Sequence, residues 1–143
     1  MMLYLDNAAT TLKKPLSVYA TLFKSTLFSG GNAGRGGHKM SMDAVRAIVD
    51  TQDLIAQLFN IKKAENVVFT QNATYALNTA ILGTMSNGGH IVVTEMDHNS
   101  VLRPACLSGN YTVVRADKSG YVHAEDVEKA VRKDTKLIVA VFG

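Results

Sequence analysis

Three stretches of this sequence combine residue types that do chemistry with a spacing that would present them. The first is Phe69-Thr70-Gln71-Asn72-Ala73-Thr74. It reads as a strand end passing into a helix start, where the unpaired N–H groups of the first helical turn point back past the strand. The small Ala73 and Thr74 leave those groups accessible, and the Thr74 hydroxyl adds a donor, so an anion such as phosphate suits the turn. Simple capping of the helix by Asn72 or Thr74 accounts for the same residues without a ligand. The second stretch is Thr94-Glu95-Met96-Asp97-His98-Asn99-Ser100. His98 falls just beyond a strand's carboxyl end, where open α/β sheets bind ligands. An imidazole there serves as base, ligand or stacking platform, unless it is merely hydrogen-bonded within its loop.

The third stretch, residues 29–40, is rich in glycine and carries Asn32, Arg35 and His38. It lacks the G-x-G-x-x-G spacing, and Gly37 stands where a Walker loop needs lysine. Two readings remain: a tightly turned surface loop, or a backbone that approaches a ligand while Arg35 offers its planar donor fork to a carboxylate or phosphate. No metal site is expected, because His38, His90, His98 and His123 show no paired ligand spacing. Cys106, within an expected helix, reads as a buried packing residue.

The elements that must hold these groups follow from periodicity. Strands are expected at Val67–Thr70, Ile91–Thr94, Thr112–Arg115 and Leu137–Phe142. Helices are expected between them, at Ala73–Met85 with Ala73, Leu77, Ala80 and Ile81 on one face, at Ser100–Ser108, and at Ala124–Lys133 with Glu125/Lys129 and Glu128/Arg132 pairs. Alternating strands and helices predict an α/β fold, a mainly parallel sheet covered on both faces in three layers. Before residue 64 the pattern changes to a helix over 15–28, the glycine-rich loop and an amphipathic helix over 41–59. The expected division is therefore 1–63, helices and loop, and 64–143, the beginning of a larger α/β domain. The apolar last strand belongs in the middle of a sheet, so the sequence reads as a beginning without its end.

Composition narrows the classes. Of 143 residues, 47% are hydrophobic and 19% charged, enough to build a core. The net charge of +3 comes from 15 basic and 12 acidic residues, scattered rather than striped, so a nucleic-acid binder is not expected. The longest apolar run, Leu137–Phe142, has six residues, far below the roughly 20 that span a bilayer. A single cysteine excludes an internal disulfide framework. A cytoplasmic location is expected.

Together, Tyr4–Thr11, Gly31–Met40, Phe69–Asn78 and Asp97–Pro104 resemble the cysteine desulfurase and selenocysteine lyase family. These are class V aminotransferases, pyridoxal 5′-phosphate enzymes of fold type I, and the resemblance runs through the whole chain. It implies that Ala73 and Thr74 hold the cofactor phosphate and that His98 stacks on the pyridine ring and helps to move protons. It implies that Asn7, Ala9, Asn32 and Arg35 lie on the substrate side. It also implies that the pyridine-pairing aspartate, the Schiff-base lysine and the sulfur-accepting cysteine come later than this segment, and that later strands separate the first strand from the next three. The expectation is an N-terminal portion of an enzyme that cleaves the C–S or C–Se bond of cysteine or selenocysteine, homodimeric at full length. Alone it would be inactive and would hold the cofactor non-covalently at most. The alternatives are a nucleotide-phosphate-binding α/β module and a subunit completed by a partner chain.

Overall fold

A computed structural model describes residues 3–7 and 10–142. The chain forms two compact units, one running through Val68 and one starting at Phe69. The division falls five residues later than the 63/64 boundary expected from the sequence. A short 3-10 turn, Ala64–Asn66, packs against the long helix of the first unit, and Gln52 Nε2 donates to Val67 O at 2.7 Å, which binds this segment backwards.

The first unit holds α1, Leu16–Phe28, and α2, Lys39–Leu58. Helix α2 begins two residues earlier than expected because His38 caps it, its Nδ1 accepting from the Ser41 N–H at 3.4 Å. Residues 29–38 are the loop. Gly31 has no substitute there: a Cβ would stand 2.3 Å from the backbone of Met40. The wholly buried Ser41 hydroxyl lies 2.8 Å from Asn32 O, 3.1 Å from Arg35 O and 2.8 Å from Gly36 O, fastening the loop onto the helix.

The second unit is α3 (Ala73–Met85), β1 (His90–Thr94), α4 (Asn99–Leu107), β2 (Tyr111–Val114), α5 (Ala124–Ala130) and β3 (Thr135–Ile138). All strands are parallel, in the order β2-β1-β3. Strand β1 is buried along its full length, as a central strand must be. Ile91 and Val93 join Ile81, Met85, Val101 and Ala105 in one core beneath α3 and α4. The β1–β2 and β2–β3 connections cross the sheet in opposite directions, so right-handed crossovers set α4 and α5 on opposite faces. The α/β layering expected from the sequence is therefore present.

Four expectations change. Val67–Thr70 forms no strand, since a strand exists only by pairing and no neighbour for it lies among the described residues. The last strand starts at Thr135 and ends at Ile138, at the sheet edge rather than its middle, with alternate residues exposed. Helix α5 stops at Ala130 because Arg132 N–H turns to Thr135 Oγ1, at 2.7 Å; Lys129 pairs with Asp126 at 2.7 Å, and Arg132 is outside the helix. The inner face of α3 is Leu77, Ile81 and Met85, while Ala73 and Ala80 are exposed.

Candidate active site

At the carboxyl end of β1 the chain must turn sharply into α4, and Asp97 makes that turn rigid. Its carboxylate, 6% exposed, accepts from the Thr94 backbone N–H at 2.7 Å and from the Thr94 hydroxyl at 2.8 Å. A buried carboxylate is tolerated because donors surround it. The next residue, His98, is exposed and caps α4. Its Nδ1 accepts from the Ser100 N–H at 3.1 Å and lies 2.9 Å from the Ser100 hydroxyl. The ring's other nitrogen has no protein partner among the described residues.

The first turn of α3 provides the second half of the site. Asn72 caps it, Oδ1 accepting from Tyr75 N–H at 2.9 Å. The cap leaves the Ala73 and Thr74 N–H groups without an acceptor among the described residues, and both side chains are exposed. Capping and anion binding are thus compatible here: one orphan donor is satisfied internally and two remain.

Asn78 draws the two halves together. One turn into α3, its Nδ2 donates to Thr74 O at 2.8 Å and reaches Ser100 O at 3.4 Å, next to His98. Ser100 O is available for a local reason. Its helical partner would be the N–H of residue 104, and Pro104 has none. The proline that breaks a hydrogen bond inside α4 thereby frees an acceptor for α3. The braces Asp97, Ser100 and Asn78 were not singled out in the sequence, although a proline in the second turn of a capped helix signals a freed carbonyl four residues before it.

The remaining residues of interest lie elsewhere. Asn32 and Arg35 share one loop of the first unit, where Arg35 N–H donates to Asn32 O at 3.2 Å. Asn7 is exposed on the N-terminal segment, and Ala9 lies outside the described residues. Cys106 is exposed, not buried, because α4 turns Val101, Pro104 and Ala105 inwards and residue 106 away. Lys136 lies at the entry end of the sheet, opposite the crevice end. The stem of Lys136 lies against Gly89 and its Nζ donates to Asn87 O at 3.2 Å, before β1 begins. Lys118 sits in the turn that Asp117 organises.

A parallel sheet with an open helix start and a histidine beyond the carboxyl end of its central strand has the arrangement in which open α/β sheets place ligands. Comparison with known proteins specifies it further. Residues 3–142 match the aminotransferase class-V family model, and the chain belongs to that family. It is 35% identical over 94% of its length to a probable cysteine desulfurase of Aeropyrum pernix, of which it covers 34%. A solved NifS-like protein shares the fold with a TM-score of 0.85 at 24% identity, over 98% of this chain and 40% of that one. A structure described as SspA in complex with cysteine superposes with a TM-score of 0.82 at 26% identity, over 96% of this chain and 41% of the other. The sequence thus spans about a third of the length of the curated relatives it matches. The two alternatives raised by the sequence are not favoured by these relationships. No helix among the described residues is long and apolar enough to cross a membrane.

Proposed function

We propose that this chain contributes the phosphate-binding turn and the ring-facing histidine of a pyridoxal phosphate-dependent cysteine desulfurase-like enzyme. The observation that carries the reading is the Asn78 bridge, which brings the α3 start and the α4 start within one side chain's reach in a class-V aminotransferase chain. The donor set fits the cofactor. Two unpaired N–H groups and the Thr74 hydroxyl suit a phosphate, and an exposed imidazole on a braced turn suits a flat ring.

When bound, pyridoxal phosphate supplies the electron sink for breaking the carbon–sulfur bond. Ala73 and Thr74 would hold its phosphate through backbone N–H and hydroxyl donors. His98 would stack on the ring and carry a proton at the nitrogen that Ser100 leaves open. Asn7, Ala9, Asn32 and Arg35 are proposed on the substrate side, with Arg35 as the carboxylate partner. The full-length enzyme is proposed to act on cysteine or selenocysteine, as a cytoplasmic homodimer. By itself the chain is proposed to bind the cofactor weakly, without a covalent tether, and to turn over no cysteine.

The test uses the 143-residue chain. Titration with pyridoxal phosphate, borohydride trapping and alanine release from cysteine are measured in parallel. Saturable binding that Thr74→Val weakens, with no unique pyridoxyl-lysine and no alanine, is the expected result. Robust turnover, or binding indifferent to Thr74, would sink the reading.

A further inference from the structure

We infer that Ser100 is a positioning residue that fixes the ring of His98 and ties it to the first turn of α3. The inference rests on the reading of His98 as the cofactor-facing residue. Ser100 is 8% exposed, and each of its three polar groups is committed to this end of the sheet. Its backbone N–H donates to His98 Nδ1 at 3.1 Å, and its hydroxyl lies 2.9 Å from the same nitrogen. Its carbonyl, freed by Pro104, takes Asn78 Nδ2 at 3.4 Å, and Asn78 in turn holds Thr74 O at 2.8 Å.

A backbone N–H can only donate. His98 Nδ1 must therefore present a lone pair, and the proton of the neutral imidazole resides on Nε2. The Ser100 hydroxyl reinforces that tautomer by donating to Nδ1 as well. What His98 offers outward is consequently an N–H donor on Nε2. The ligand group it meets is an electron-rich acceptor: a carboxylate, a phenolate oxygen or a thiolate. A histidine with this constraint hands over a proton from Nε2 rather than collecting one at Nδ1, and the direction is set by a residue that touches neither substrate nor cofactor.

Nuclear magnetic resonance of the nitrogen-15-labelled chain at about pH 8, where an ordinary imidazole is neutral, tests this directly. The wild-type chain is expected to show an unprotonated Nδ1, a protonated Nε2 and a through-hydrogen-bond coupling between the Ser100 amide nitrogen and His98 Nδ1. Ser100→Ala keeps the amide but lacks the hydroxyl, so the ring should gain mobility and the coupling should weaken. Ser100→Thr should restore both. If Ser100→Ala fails to fold, the wild-type coupling decides alone. A protonated Nδ1, an absent coupling, or a Ser100→Ala spectrum matching wild type overturns the inference. None of these readouts needs cofactor, so a chain that binds no pyridoxal phosphate would count against the proposed function and leave this result standing.

Discussion

At the scale of single residues, the site depends more on braces than on the group they present. His98 is exposed, whereas Asp97 beside it is buried and holds two donors of Thr94. Asp97→Ala would leave a buried N–H and hydroxyl unpaired at the end of the central strand. Such losses cost about 1–3 kcal/mol. Asp97→Asn keeps an oxygen that can accept from the same donors and should cost less. Urea unfolding of the two variants checks the order: if Asn is as damaging as Ala, the carboxylate's charge matters and its acceptor geometry does not. The exposed Asp117 shows the same device on the surface. Ser119 hydroxyl, the Tyr121 and Ser119 amides and His123 surround its carboxylate and hold its pKa down to about 2.

At the scale of elements, Asn72 fastens the start of α3 through a single side-chain bond to Tyr75 N–H. Asn72→Ala should destabilise the second unit by about 1 kcal/mol, within the range for lost caps. It should also weaken phosphate binding, because a frayed first turn no longer aims the Ala73 and Thr74 amides. Equilibrium unfolding and phosphate titration monitored on those two amides give both numbers; an unchanged affinity would mean that the turn is held by something other than its cap. This helix was legible in the sequence, as were β1 and β2, because β-branched runs and an Asn-Gly-Gly break report local preference directly. Thr74 and His98 were legible as candidates from the same local signals: Thr74 falls in the first turn of that helix and His98 just past β1. What could not be read depended on partners distant in the chain. Val67–Thr70 has a strand's composition but nothing to pair with among the described residues. Helix α5 ends where Thr135, five residues past its last residue, captures Arg132. The Asn78–Ser100 bond spans 22 residues, and no period announces it.

At the scale of the whole second unit, three parallel strands are tied at their entry end by one buried histidine, and this makes stability depend on pH. His90 lies wholly buried at the start of β1, with Nδ1 2.8 Å from Thr135 Oγ1 and Nε2 2.9 Å from Thr112 Oγ1, so a single ring spans all three strands. Both hydroxyl oxygens already accept from Arg132, Thr135 from its backbone N–H and Thr112 from its guanidinium at 2.8 Å. A neutral ring fits: one nitrogen takes a hydroxyl proton and the other donates. A protonated ring would donate twice and leave a threonine hydrogen without its acceptor. Burial and the adjacent Arg132 charge push the His90 pKa below its ordinary 6.5, and Asp134 opposes them only in part. The unfolded chain therefore binds a proton at a pH where the folded chain does not, so stability is lost as pH falls below about 6.5. The loss stops once pH passes under the folded-state value. Wild-type chain and His90→Gln, whose side chain does not titrate, should be unfolded in urea at several pH values between about 8 and 5. The stability advantage of wild type over the variant should shrink steadily as pH is lowered across that window. A gap that stays constant would show that the ring is protonated in the folded sheet and that the threonine clamp accepts the cation.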